Sequence, residues 1–89
     1  MEGAMLAQII ESLFAEARAN NGRARTCLPR GLWLEADTRG PCRTLILSRR
    51  DGSPSPREAH ICAKHAGFTH FGIANHQNKL VVFEQKEEV

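Results

Sequence analysis

Apolar residues repeat along the chain with two different periods, which separate predicted helices from predicted strands. The first pattern covers residues 4–20, where apolar positions recur at helical spacing and end at Asn20-Asn21-Gly22, a good C-terminal stop. These positions are Leu6, Ile9, Ile10, Leu13, Phe14 and Ala17. The spacing therefore predicts a first helix with a large aliphatic stripe that supplies much of the core.

A second helix is predicted after the turn at residues 51–54. Ser55 stands at the N-cap, Pro56 at the first helical position and Glu58 three residues after the cap, which is the capping-box pattern. Gly67 and Phe68 supply the left-handed residue and the apolar contact that commonly end a helix. The apolar face consists of small residues, Ala59, Cys62, Ala63 and Ala66. Small side chains predict a helix that lies close to the sheet it covers.

Alternation of apolar and polar residues predicts strands in the rest of the chain. The predicted strands are residues 32–37, 42–49, 70–74 and 79–84. Turns at residues 38–41 and 75–78 join them into two hairpins. Residues 23–30 have no period and contain Pro29, so we expect a loop there.

The element order αββαββ predicts an α+β fold in two layers, with two helices on one face of a four-stranded, mostly antiparallel sheet. We expect a single compact domain over residues 1–85 and a polar C-terminal tail over residues 86–89. If the leucines of the first two strands face the helices, Trp33 and Ile46 lie on the open face. Trp33 would then be the largest exposed apolar group. The pairing between the two hairpins stays undetermined.

Composition narrows the class of protein. The 89 residues are 42% hydrophobic and 25% charged, as in ordinary soluble globular domains. The longest apolar runs are far shorter than the ~20 residues that cross a bilayer, and no basic residue precedes Arg18 as a secretory signal would require. Three irregularly spaced cysteines fit a reducing compartment. We therefore expect a cytoplasmic protein that does not contact a membrane.

Positive charge is concentrated in the middle of the chain. Residues 18–57 contain nine arginines and three acidic residues, whereas both ends are acidic. The candidate partner-binding residues are Trp33 and seven arginines, Arg23, Arg25, Arg30, Arg39, Arg43, Arg49 and Arg50. Arg49 and Arg50 precede the N-terminus of the second helix and are the best-placed pair for an anion. Alternatively, the arginines reflect a GC-rich genome, and Trp33 packs beneath residues 23–30 or at a homodimer interface.

Metal binding and catalysis have weaker support. Cys27, Cys42 and Cys62, with a nearby histidine, could hold zinc, but no closely spaced ligand pair such as CxxC is present. His60 and His65 diverge by about 140° around a helix, so they cannot act on one substrate atom. We therefore expect no cofactor, no metal and no enzymatic activity.

A non-catalytic interaction module that binds a macromolecular partner through its arginine-rich surface is the function we expect. The favoured partner is a protein or a nucleoprotein complex. Small proteins without a recognisable motif often come from phages and mobile elements, where they inhibit host complexes as anti-CRISPR proteins do. The alternative is a nucleic-acid-binding protein that uses the same arginines and Trp33, with bases stacked on the ring.

Overall fold

The computed structural model describes residues 2–86 as two helices and five strands. The elements follow in the order α1 (Glu2–Ala19), β1 (Arg23–Cys27), β2 (Leu32–Asp37), β3 (Thr44–Arg49), α2 (Pro56–His65), β4 (Phe71–His76) and β5 (Lys79–Glu84). A short 3₁₀ turn at Pro29–Gly31 joins the first two strands. Of the predicted polar tail, residues 87–89 lie outside the described residues. Neither helix of the described chain combines the length and the apolar character needed to cross a membrane.

Both predicted helices are confirmed, and the cap of α2 forms as its sequence indicates. The Ser55 hydroxyl accepts a hydrogen bond from the Glu58 amide at 3.2 Å, and the Ser55 amide donates to the Glu58 carboxylate at 2.9 Å. After the helix, Gly67 has a φ of 81°, and the amide of Phe68 donates to the carbonyl of Ala63 at 3.0 Å. Both ends of α2 are therefore fixed by local hydrogen bonds.

The strands form one antiparallel sheet in the order β1-β2-β3-β5-β4. The α+β class is confirmed, but the prediction of four strands was wrong by one. β3 and β4 run in the same direction with β5 between them, and α2 makes the crossover that such a connection requires. The hairpin of β4 and β5 is thus attached to β3 through β5, the later of its two strands.

The additional strand is β1, which lies within the predicted loop at residues 23–30. Its sequence, RARTC, contributes only one buried apolar side chain, Ala24, because the other inward-facing residue is the polar Thr26. The strand β1 is held in place by antiparallel pairing with β2, in which Arg23 lies opposite Asp37 and Cys27 lies opposite Trp33. Backbone hydrogen bonds to a neighbouring strand, rather than its own hydrophobic pattern, therefore determine this element.

The turn between β4 and β5 is shorter than predicted. It consists of Gln77 and Asn78, with φ values of 50° and 65°, while Asn75 and His76 belong to β4. Two consecutive residues with positive φ make a tight hairpin turn whose twist matches that of the flanking strands. The polar run at residues 75–78 resembled a loop because its side chains at the sheet edge are exposed.

Both helices pack against the same face of the sheet, where the core lies. The leucines of β2 and β3 face the helices as predicted, and Leu34, Leu45 and Leu47 have no exposed surface. The buried core residues are Ile10, Leu13, Phe14, Ala17, Ala24, Leu32, Leu34, Ala36, Leu45, Leu47, Ala59, Cys62, Ala63, Phe68, Leu80 and Val82. Since each strand alternates, the intervening residues form a second face that neither helix covers.

Candidate binding cleft

The sheet face opposite the helices, which we call the open face, carries Trp33 together with charged side chains such as Arg25 and Lys79. It consists of residues 23, 25 and 27 of β1, 33, 35 and 37 of β2, 44, 46 and 48 of β3, 79, 81 and 83 of β5, and 72, 74 and 76 of β4. Strand alternation places every second residue here. The open face is therefore the surface on which a partner can contact several strands at once.

Ion pairs within the protein use four of the seven arginines that were predicted to bind a partner. The pairs are Arg23 with Glu35, Arg39 with Asp37, Arg43 with Glu84, and Arg49 with Glu58. Each places its guanidinium charge beside a carboxylate. The arginine-rich segment therefore does not form one continuous surface of unpaired positive charge.

Arg43 lies on the helix side of the sheet, away from Trp33. Its guanidinium makes two hydrogen bonds to Glu84, at 3.0 and 2.9 Å. It also lies over the rings of Phe14 and Phe68, 5.2 and 5.0 Å from their centres. The hydrogen-bonded guanidinium lowers the pKa of Glu84 and favours its ionised form. These contacts give Arg43 a structural role at the edge of the core.

Arg49 connects three segments of the fold. Its guanidinium pairs with Glu58 at the start of α2 and donates a hydrogen bond to the carbonyl of Arg30 at 2.8 Å. Desolvation alone would raise the pKa of Glu58, but hydrogen bonds from Ser55 and Arg49 outweigh it and lower the pKa. The predicted Arg49–Arg50 pair is therefore divided between an internal contact and a solvent-exposed side chain.

A depression of about 550 Å³ on the open face, which we call the Trp33 cleft, collects basic residues. Its lining residues are Arg25, Cys27, Gly31, Trp33, Ser48, Arg49, Arg50 and Lys79. The lining contains four basic side chains and no acidic one. Of these four, Arg49 is paired with Glu58, so the positive charge left at the cleft comes from Arg25, Arg50 and Lys79.

Trp33 is half-buried rather than fully exposed, contrary to the expectation that it would be the largest exposed apolar group. The guanidinium of Arg25 lies over its ring, 4.6 Å from the centroid. Such a cation–π contact holds both planar groups at the surface. The large apolar residues with the most exposed surface in the described chain are Met5 and Ile61, at 62% and 42% exposed. Trp33 thus packs against residues 23–30, as the alternative interpretation expected, but the contacting part of this segment is the strand β1 and not a loop.

Four cleft residues were absent from the predicted binding set: Cys27, Gly31, Ser48 and Lys79. Leu80 is buried, so alternation in β5 places Lys79 on the open face. However, its approach to Trp33 depends on β5 lying beside β3, and the order of the hairpins could not be read from the sequence. Arg30, which was predicted as a partner contact, is exposed at the 3₁₀ turn outside the cleft.

The cysteines and histidines do not converge. Cys27 is exposed, Cys42 is half-buried and Cys62 is buried, where desolvation raises the pKa of its thiol to about 11. Within residues 2–86, no three side chains of the metal-binding types lie close enough together to hold an ion. The His65 ring instead contacts the carbonyl of Ile61 at 2.8 Å within α2.

Comparison with protein-family models, with curated proteins and with solved structures finds no match to this chain.

Proposed function

We propose that this protein is a non-catalytic interaction module that binds an acidic macromolecular partner at the Trp33 cleft. The observation that carries the proposal is the lining of the cleft, where Trp33 lies beside three basic side chains, Arg25, Arg50 and Lys79, that form no salt bridge within the described residues. Tryptophan and arginine are the residues that most often dominate the energy of an interface. Acidic protein surfaces and the phosphates of a nucleoprotein complex both meet this chemical requirement.

The distribution of ion pairs favours the cleft over the other arginines as the binding surface. Arg25, Arg50 and Lys79 make no salt bridge with any carboxylate of the described residues. A basic side chain whose charge is not already neutralised attracts an anionic partner more strongly than a paired one. Arg39 and Arg43, by contrast, are engaged with Asp37 and Glu84.

A pair of matched double variants tests the proposal. Arg50→Ala with Lys79→Ala removes two charges from the cleft, and Arg57→Ala with Lys64→Ala removes one arginine and one lysine from exposed positions on α2. Both variants have the same net charge. We expect the cleft variant to elute from heparin at lower salt than the wild-type protein, and the α2 variant to elute close to it.

Equal elution of the two double variants would refute the cleft as the binding surface, because net charge alone would then explain retention. Circular dichroism provides the folding control for both variants. All four substitutions replace exposed side chains, so each variant should retain the wild-type spectrum.

A further inference from the structure

We infer that the anionic partner of the Trp33 cleft is single-stranded nucleic acid, with a base stacked at Trp33 and the strand laid diagonally across the open face. This inference rests on the proposed function and specifies its partner. Three features of the open face carry it: a planar stacking group, unpaired basic side chains beside it, and an apolar path leading away from it.

The stacking group is formed by Trp33 and Arg25. The guanidinium lies over one side of the indole, 4.6 Å from the ring centre, and Arg25 is exposed, so the outer side of this stacked pair can receive a base. Nucleobases stack on both aromatic rings and guanidinium planes. An acidic peptide satisfies the charge of the cleft, but its carboxylates have no planar aromatic face to match the indole.

The basic side chains beside Trp33 suit the phosphates that accompany a stacked base. Arg50, Lys79 and Ser48 line the same cleft, and Ser48 lies directly opposite Trp33 on β3. Lysine and arginine neutralise phosphates, while serine hydroxyls donate hydrogen bonds to phosphate oxygens. The cleft thus combines in one place the groups that contact a base and the groups that contact its backbone.

An apolar path continues from the cleft across the sheet. Ile46 is the diagonal neighbour of Trp33, and Phe83 is the diagonal neighbour of Ile46. Diagonal neighbours are about 7–8 Å apart, so the path extends about 15 Å beyond the start at Trp33. The ring of Phe83 lies over Gly72 on the edge strand, where a Cβ atom would come within 2.4 Å of it. Gly72 therefore leaves room for the ring at the end of the path.

A single strand fits this path better than a duplex. Bases in a duplex are stacked on one another and hidden from a flat protein surface, whereas bases of a single strand can lie against apolar and aromatic side chains. The Trp33–Ile46–Phe83 diagonal has no charged member. Glu35 and Asp37, paired with arginines of the protein, lie on one flank of it, and the basic residues Arg50 and Lys79 lie on the other. The strand would therefore place bases on the diagonal and phosphates along that flank.

Tryptophan fluorescence provides a direct assay, because Trp33 is the only tryptophan and the chain contains no tyrosine. The probe is an oligothymidylate of about twelve nucleotides, within the range of single-strand binding sites. We expect it to quench the emission of Trp33 on binding. With two phosphate contacts, from Arg50 and Lys79, a fourfold rise in salt should weaken binding about sevenfold.

Two variants localise the contacts. Trp33→Leu should weaken oligothymidylate binding at least about fivefold, measured by anisotropy of a labelled strand, and leave poly-glutamate binding nearly unchanged. Lys79→Ala should reduce the slope of log affinity against log salt concentration by the share of about one phosphate contact. Lys64→Ala on α2 should leave this slope unchanged. If Trp33→Leu does not fold, the quenching of the wild-type protein and the lysine pair decide the question.

The possible failures separate this inference from the proposed function. If poly-glutamate or heparin binds at the cleft but oligothymidylate neither binds nor quenches Trp33, the nucleic-acid inference is overturned and the acidic-partner proposal stands. A duplex that binds as tightly as the single strand overturns the single-strand inference alone. If no polyanion binds at low salt, both are wrong.

Discussion

Arg43 offers the sharpest test of the division between structural and binding arginines. The sequence groups it with the candidate partner contacts, whereas the structure places it between Glu84 and the rings of Phe14 and Phe68. Arg43→Ala removes a guanidinium that contacts the core from the helix side. We therefore expect a loss of stability and little effect on binding at the Trp33 cleft, which lies on the other face of the sheet.

The expected loss follows from the contacts that disappear. Two partly exposed cation–π contacts contribute about 0.5–1 kcal/mol each. The ion pair with Glu84 adds less than about 1 kcal/mol, because the Arg43 side chain is 37% exposed and solvent screens the charges. The sum is about 2 kcal/mol. With a urea dependence of about 1 kcal/mol per molar for a small domain, the midpoint of unfolding should fall by about 2 M.

Urea unfolding followed by Trp33 emission measures this shift, since Trp33 lies far from the substitution and reports global unfolding. The matched control is Arg39→Ala, which also removes an arginine paired with an acidic residue, Asp37, but without an aromatic contact in the described chain. We expect a clearly smaller shift for the control. Equal midpoints for the two variants would refute a structural role for the stacking of Arg43 on the rings.

Three further predictions concern ionisation, thiol reactivity and capping. Hydrogen bonding to Arg43 lowers the pKa of Glu84 below its ordinary 4.5. The ionised Glu84 should therefore stabilise the folded protein above that pH, and this contribution to the free energy of unfolding should disappear as the pH falls through the pKa of the folded state. Measured by urea unfolding between about pH 6 and 3, the free energy of unfolding should fall less steeply for Glu84→Gln than for the wild-type protein. An equally steep fall in both proteins would contradict this prediction. At about pH 8 a thiol reagent should modify the exposed Cys27 in the folded protein, whereas the buried Cys62 should react only after unfolding. Equal rates of modification of Cys27 and Cys62 in the folded protein would show that Cys62 is accessible. Ser55→Ala should cost about 1 kcal/mol of unfolding free energy, and no measurable change would mean that the cap contributes nothing.

The helices were predictable because their signals are local. The capping residues Ser55 and Glu58, and the terminal Gly67 and Phe68, act on backbone groups within a few residues along the chain. The same is true of the inward-facing leucines of β2 and β3, since alternation alone fixes which residues share a face. These features need no knowledge of distant contacts.

β1 was not predictable from its own residues. Its five residues include two arginines and one buried alanine, so it lacks the hydrophobic alternation of an independent strand. It is stabilised by pairing with β2, and the antiparallel register then places Arg25 over Trp33. Arg25 and Trp33 were both predicted to bind a partner, but the contact of the Arg25 guanidinium with the Trp33 ring could not be predicted from the sequence.

What the sequence determined by itself is the local order: two capped helices, the alternating strands and an excess of arginine between residues 18 and 57. Only the tertiary structure decided which arginines are paired internally and which remain at the Trp33 cleft. The reason is physical. A charge census records how many basic side chains exist, but ion pairs such as Arg43 with Glu84 join residues far apart in the chain. Likewise, Lys79 lines the cleft because β5 pairs with β3, a long-range choice that local residue patterns do not encode.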